Sequence, residues 1–295
     1  MAYYLVLSRN ATGNRMNNKA YIEPSGIPLV DKAWGGFYVG GKYFLSGPQG
    51  SGKTILGLQC ARQCVRQKQV CLFFTGKNPK DVLKLATAID FDIKAFMSQD
   101  LFILIKIELP ELSDDFIKHD DELSMHWNEI VSVIEEYNVD KIIFDDFASF
   151  IGFNNFSTLK EVFRNSTETM EEKLMTSLFI FSEPANSIAK NQVNTIVREG
   201  SGVIYIERKK WEDEGNITIT PVSGHPEGQF KSGYTIKTDE GFKVDYDDLS
   251  PVQEVAKGKI KLEDYDGFGL SSEGRRNLFN GGFTTDEGDF NLNGT

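Results

Sequence analysis

The stretch best suited to chemistry is an eight-residue segment, the phosphate loop at positions 47–54, which reads GPQGSGKT. Its spacing is G-x-x-x-x-G-K-T, in which glycines let the backbone wrap around phosphate oxygens and direct N–H groups at them. Lys53 is placed to reach the β- and γ-phosphates of a nucleotide, and the Thr54 hydroxyl is a ligand for Mg²⁺. The segment therefore predicts binding of ATP with Mg²⁺. The predicted nucleotide-binding residues are Gly47, Pro48, Gln49, Gly50, Ser51, Gly52, Lys53, Thr54 and Ile55.

A site of this kind also needs an acidic side chain that helps to hold the metal ion. The segment KIIFDD, at residues 141–146, has three apolar residues followed by Asp145 and Asp146. This pattern is typical of a buried strand that ends in carboxylates, and carboxylate oxygens are ligands that Mg²⁺ accepts. We expect Asp145 to hold Mg²⁺ through water, together with Thr54. The alternative is that Asp145 only caps a loop.

These residues must be positioned by strands and helices that alternate along the chain. A strand at 41–47 leads into the phosphate loop and a helix at 53–67 leaves it, so the positive end of the helix dipole faces the anion. Alternation of this kind predicts an α/β fold with a central, mostly parallel sheet flanked by helices. Further strands are predicted at 70–76, 101–108, 140–150 and 177–184, and further helices at 78–89, 122–137 and 157–176.

The chain changes character after Glu199. Segments that alternate with period two between glycine-containing turns predict C-terminal antiparallel hairpin strands appended to the parallel sheet. The last part of the chain loses this periodicity and is rich in acidic residues and glycine, which predicts a flexible acidic tail. The predicted organisation is a lead-in with a short strand over 1–25, a nucleotide-binding domain over 26–246 and the tail over 247–295.

Composition limits the class of protein. The chain has 295 residues, of which 40% are hydrophobic, enough to build a sizeable packed core. No apolar run is long enough for a spanning helix, so no membrane association is predicted, and the N-terminus does not resemble a signal peptide. Three cysteines, with Cys60 and Cys64 one helical turn apart, favour a reducing compartment, and we predict a cytoplasmic protein. The net charge of −11 argues against nucleic acid as a partner.

Taken together, these motifs resemble those of KaiC-type ATPases of the RecA superfamily. The similarity begins in residues 26–59, GIPLVDKAWGGFYVGGKYFLSGPQGSGKTILGLQ, and continues through a strand and P-x-D helix beginning at CLFFTGKNPKD. The metal-binding strand of the family is matched by DKIIFDDFASF and its terminal hairpin by GHPEGQFKSGYTI. The resemblance covers about residues 26–240 and implies a RecA-like P-loop NTPase fold, binding of ATP or ADP with Mg²⁺, and a homo-oligomer.

The sequence departs from this family pattern at two places. The resemblance implies a pair of catalytic glutamates directly before the P-x-D helix, but Gly76 and Lys77 stand there. It also implies a Lys and an Arg in the hairpin that reach a neighbour's γ-phosphate, but Pro221 and Ser223 stand there. Positioning of the attacking water and stabilisation of charge are the main contributions to phosphoryl transfer. The residues for binding are therefore present, and those expected for turnover are absent.

Three hypotheses for function follow. The first is a KaiC-like protein that uses ATP as a structural or regulatory ligand, with weak or no hydrolysis. The second is an active ATPase or motor in which Asp146, after the metal-binding strand, or Glu183, after the strand at 177–184, serves as a replacement catalytic acid. The third, against which the acidic charge argues, is a RecA-like recombination factor.

The acidic tail is a candidate site for a protein partner. Phe279, Phe283 and Phe290 lie in an acidic context, and segments of this composition often dock a few aromatic side chains onto a partner. The alternative is a tail that only increases solubility.

Overall fold

The computed structural model describes residues 21–108, 115–208, 214–246 and 250–251. The described residues belong to one compact unit of the chain. The strand predicted within the first ten residues lies outside these ranges, as does nearly all of the predicted acidic tail.

Within these ranges the chain alternates between strands and helices, as the sequence predicts. The strands are β1 (Ile22–Glu23), β2 (Phe37–Tyr38), β3 (Lys42–Gly47), β4 (Cys71–Thr75), β5 (Phe102–Lys106), β6 (Lys141–Asp145), β7 (Thr176–Ser182), β8 (Gly202–Arg208), β9 (Glu214–Pro221), β10 (Phe230–Lys237), β11 (Gly241–Val244) and β12 (Ser250–Pro251). The helices are α1 (Pro28–Ala33), α2 (Lys53–Arg66), α3 (Pro79–Thr87), α4 (Ile93–Met97), α5 (Phe116–Glu136), α6 (Phe156–Glu172) and α7 (Ser187–Val197). A short 3-10 helix, Phe147–Phe150, follows β6.

The large sheet has its strands in the order β11-β10-β9-β8-β3-β7-β6-β4-β5, with β12 paired to β10. The strands from β8 to β5 in this order run parallel, and β9 to β12 add the antiparallel part. A small separate sheet pairs β1 with β2. The predicted fold class, a mostly parallel α/β sheet with C-terminal antiparallel strands, is confirmed.

The sequence prediction differs from the structure at β8. The prediction assigns this segment to the antiparallel part, but β8 pairs parallel with β3 on one side and antiparallel with β9 on the other. Its period-two alternation is compatible with both kinds of pairing, so the pattern alone could not distinguish them. The decisive element is α7, a helix not predicted from the sequence, which provides the crossover that parallel strands require.

The two faces of the sheet have different cores. Successive side chains of a strand point to opposite faces, so Ile143 and Phe144 of β6 belong to different layers. Ile143 packs in the largely aliphatic cluster that includes the buried side of α2. On the other face, Phe144 stacks on Phe179 at a ring-centroid distance of 5.1 Å. Trp127 of α5 and Phe163 of α6 complete this aromatic layer. These packed layers hold the carboxyl ends of the parallel strands in fixed positions.

Candidate nucleotide-binding site

The phosphate loop connects the end of β3 to the first residue of α2. Packing requires glycine at position 47, and at position 52 the backbone conformation requires it as well as the nearby side chains. A Cβ on Gly47 would lie 2.1 Å from the carbonyl oxygen of Ile206, and a Cβ on Gly52 would lie 2.6 Å from Cδ1 of Ile236. Gly52 also has φ of 95°, a left-handed conformation in which only glycine is unstrained. The loop thus turns tightly into the helix, whose first N–H groups are available for an anion.

The Lys53 ammonium lies over the phosphate loop itself. Its Nζ donates hydrogen bonds to the carbonyl oxygens of Gly47 and Pro48, each at 2.7 Å. Burial lowers the pKa of Lys53, and the positive charge of Lys77 lowers it further, while nearby carboxylates act in the opposite direction. Lys53 therefore sits where a phosphate oxygen could replace its carbonyl partners.

Asp145, at the end of β6, faces the start of α2 across the sheet edge. Its residue exposure is 4%, and both of its carboxylate oxygens have partners. The Thr54 hydroxyl donates to Oδ1 at 3.0 Å. On the other side, Lys77 Nζ donates to Oδ2 at 2.7 Å and the Thr75 hydroxyl donates to Oδ2 at 3.3 Å. The structure thus brings together the two predicted metal-holding residues, Thr54 and Asp145, and adds a lysine to them.

The donor atoms of this pair suit a magnesium ion. Carboxylate and hydroxyl oxygens are the ligand types that Mg²⁺ takes, and it is commonly held by few protein groups together with phosphate oxygens. Among the described residues no group of three or more His, Cys, Asp or Glu could hold a metal ion without such help. The Lys77 ammonium lies on Oδ2, so a metal ion that uses this oxygen has to displace it.

A cavity of about 400 Å³ opens beside these groups, which is within the range of small-molecule sites. Its lining combines predicted residues with others that the sequence did not reveal. The lining residues are Gln49, Gly50, Gly52, Lys53, Thr54, Ile55, Lys77, Leu85, Asp145, Asp146, Ile180, Phe181 and Ser182. Pro48 and Gly47 instead supply the carbonyls below Lys53, and Ser51 lies buried behind the loop.

The two candidate catalytic acids occupy different places. Asp146 is exposed, lines the cavity and has φ of 73°, which ends β6 and begins the 3-10 helix. Glu183 is exposed and is not among the lining residues. Its carboxylate accepts a hydrogen bond from the Tyr205 hydroxyl, although its charge still acts on the pKa of Lys53. Of the two, only Asp146 faces the cavity.

The loop after β4 carries the two residues that replace the expected glutamates. Gly76 is exposed, and a Cβ added to it would meet nothing within 4 Å. The backbone N–H of Lys77 donates to the Thr75 hydroxyl at 3.1 Å, and its side chain lines the cavity. The space for a longer side chain at position 76 is therefore present.

The antiparallel strands support the phosphate loop from behind. The Tyr234 hydroxyl of β10 donates to the Ser51 carbonyl at 3.0 Å, and burial raises the pKa of Tyr234 to about 12. Arg208, at the end of β8, donates to the Gly50 carbonyl at 3.4 Å. Sequence reasoning missed both contacts, because neither residue belongs to a motif with the loop.

The resemblance implies cationic residues at two hairpin positions, which here are Pro221 and Ser223. Both lie at the opposite end of the strands from the phosphate loop. Pro221 pairs with Gly202, the first residue of β8, whereas Arg208 at the far end of β8 contacts the phosphate loop. At the usual rise per residue the length of β8 separates these ends by about 20 Å. Within one chain, these two positions are thus far from the nucleotide cavity.

His225, which follows this hairpin turn, has a packing role. Its Nε2 is 2.7 Å from the Tyr43 hydroxyl, and its ring stacks on Trp34 at a centroid distance of 4.2 Å. Burial lowers the pKa of His225 to about 4, with the Glu227 carboxylate opposing the shift. The imidazole is therefore neutral at neutral pH and part of the core.

Comparison with known proteins adds two findings. The family model described as "ATPase: KaiC" matches residues 23–245 of this chain. A search of curated proteins finds no match to it. In the part of the chain that the structure describes, no helix combines the length and apolar character needed to cross a bilayer.

Proposed function

The chain belongs to the KaiC family of ATPases and has its nucleotide-binding RecA-like fold, and from that premise we propose that it binds ATP with Mg²⁺ as a structural or regulatory ligand, with weak or no hydrolysis. One observation carries this proposal. The phosphate loop, Lys53, Thr54 and Asp145 lie together beside one cavity, as nucleotide binding would require, while the adjoining loop after β4 presents Gly76 and Lys77. A glycine has no group that could orient water, and a lysine has the wrong charge for a general base.

The roles of the site residues follow from the geometry. Backbone N–H groups of the phosphate loop and the Lys53 ammonium would bind the β- and γ-phosphates, and Ile55 and the rest of the lining would surround the nucleotide. Thr54 and Asp145 would hold Mg²⁺, which neutralises phosphate charge when it is bound. ADP would bind through the same loop.

We further propose a cytoplasmic homo-oligomer. The family similarity supports assembly. Cys60, Cys64 and Cys71 are free and buried, in agreement with a reducing compartment. Residues 26–246 would form the nucleotide-binding domain, preceded by the lead-in at 1–25. The tail at 247–295 would bind a protein partner or increase solubility.

Three measurements test the proposal. Calorimetric titration of the full chain with ATP should show binding that Lys53→Ala weakens by about 10- to 100-fold, and steady-state phosphate release should stay at the level of that variant. Native mass spectrometry with and without ATP tests the assembly. Absence of ATP binding by the wild-type chain would contradict the proposal.

The second candidate function is an active ATPase that uses Asp146, because this carboxylate is exposed on the cavity. Robust phosphate release by the wild type, lost in both Lys53→Ala and Asp146→Asn, would favour it. Glu183 is a weaker candidate, since its carboxylate is engaged by Tyr205 away from the lining. DNA binding that weakens steeply with salt would instead support the recombination factor.

A further inference from the structure

The Asp145 carboxylate is nearly buried and has a built-in counter-ion. A buried carboxylate is costly unless it is paired and hydrogen-bonded, and Asp145 satisfies this condition through two hydroxyls and one ammonium. The hydroxyls come from Thr54 and Thr75, whereas the only full positive charge in contact with it among the described residues comes from Lys77. The Lys77 ammonium thus supplies Asp145 with the cationic charge that a metal ion would otherwise bring.

The two members of the ion pair differ in their freedom to move. Asp145 is held in a central strand, where it pairs with Thr75 of β4 and Ile180 of β7. Lys77 lies in the loop after β4, its side chain is 40% exposed, and the exposed Gly76 precedes it. The ammonium can therefore leave the carboxylate for solvent or for a phosphate, while the carboxylate stays in place.

Lys77 also belongs to the same electrostatic environment as Lys53. Its charge is the largest contribution after burial to the lowered pKa of Lys53. Two ammonium groups and one carboxylate therefore face the cavity next to the phosphate loop, before Asp146 is counted. With Asp146 counted as well, the two positive and two negative charges of the lining balance, and without Lys77 the lining would carry a net negative charge that repels a polyphosphate without metal.

We propose that Lys77 is a tethered cation that competes with Mg²⁺ for Asp145, so that the site binds a nucleoside polyphosphate with or without a divalent ion and gains little affinity when Mg²⁺ is added. This inference rests on the proposed nucleotide-binding function and specifies its metal dependence. Removal of the ammonium leaves the buried carboxylate with two hydroxyl partners and no cation, so that it repels free polyphosphate and attracts a divalent cation. In a variant without this ammonium, ATP binding should therefore depend more strongly on Mg²⁺ than in the wild type.

The first experiment measures the dissociation constant of ATP for the full chain in excess Mg²⁺ and in EDTA. In Lys77→Met, the ratio of the EDTA value to the Mg²⁺ value should be at least about tenfold larger than in the wild type, or about 1.4 kcal/mol. Lys77→Arg keeps the charge and should retain the wild-type ratio. Lys80→Met is the matched control, since it removes the same charge from an exposed residue outside the cavity lining. An unchanged ratio in Lys77→Met would overturn the proposal.

The second experiment needs no nucleotide. Mn²⁺ binding, followed by electron paramagnetic resonance, should be at least about tenfold tighter in Lys77→Met than in the wild type. Adding Asp145→Asn should remove this gain, which locates the ion at Asp145. Equal Mn²⁺ affinity in wild type and Lys77→Met would also overturn the proposal.

The two experiments separate this inference from the proposed function. If the wild type failed to bind ATP in both buffers, the proposed function would be wrong, and Mn²⁺ binding would still decide the role of Lys77. Lys77→Gln provides a second neutral variant if circular dichroism shows that Lys77→Met does not fold. A purely structural ion pair would lower stability in both variants and leave the metal dependence unchanged.

Discussion

Two loops leave the same edge of the sheet, the phosphate loop after β3 and the loop that begins with Gly76 after β4, and they differ in how tightly packing constrains them. A Cβ on Gly47 would lie 2.1 Å from a backbone carbonyl oxygen, whereas a Cβ on Gly76 would meet nothing within 4 Å. Packing thus requires glycine at position 47 of the first loop and leaves position 76 open. A carboxylate side chain is therefore not excluded from position 76 by lack of space. This supports the interpretation that the glycine there alters the chemistry of the site and is not required for folding.

The largest expected effect is the loss of stability when one methyl group is added to the phosphate loop, compared with the same change in the loop after β4. Gly47→Ala should lower the free energy of unfolding by about 3 kcal/mol or more, because the backbone of Ile206 has to move. Gly76→Ala, the matched control, should change it by less than about 0.5 kcal/mol. Urea denaturation measures both values. Similar losses in the two variants would show that the loops are equally constrained.

The next largest effect is on ATP affinity, and it is tested by removing the charge of one of two lysines. Lys53→Ala removes the ammonium that the phosphate loop holds. Because charged hydrogen bonds of this kind are worth about 1.5–3 kcal/mol, the ATP dissociation constant should rise by about 10- to 100-fold. Lys80→Ala removes the same charge from the helix that follows the β4 loop and should leave ATP affinity nearly unchanged. Calorimetric titration gives both constants. Equal losses would mean that overall charge, and not the loop geometry, governs binding.

A smaller effect is expected from the support behind the phosphate loop. Tyr234→Phe removes the hydrogen bond to the Ser51 carbonyl and should lower the free energy of unfolding by about 1 kcal/mol. Tyr246→Phe is the control, because Tyr246 is 48% exposed. Thermal or urea denaturation compares the two variants. If Tyr234→Phe were as stable as the control, the loop would hold its shape without help from β10.

The smallest effect should follow Asp146→Asn. This side chain is exposed on the cavity, where solvent screens its charge, so ATP affinity should change by less than about threefold. A fluorescent ATP analogue in a competition assay measures the change. A large change would place Asp146, which follows β6 and lies in neither loop, within the binding arrangement.

Much of the fold could be predicted from the sequence because its signals are local. The phosphate loop lies between a strand and a helix as predicted, and Asp145 ends its strand. The helices α1, α4 and α7 were missed; the first two are only six and five residues long and give little periodicity. The strand predicted over 140–150 ends at Asp145, because Asp146 adopts a left-handed conformation that the apolar pattern does not reveal.

The sequence by itself determined that a phosphate-binding loop and a strand-end carboxylate are present, since both depend on residues that are neighbours in the chain. Only the tertiary structure decided what surrounds them. Lys77 and Asp145 are 68 residues apart, and Ser51 and Tyr234 are 183 apart, yet both pairs are in contact. The physical reason is that strand order and pairing register place side chains side by side at the sheet edge, and no local pattern records that order.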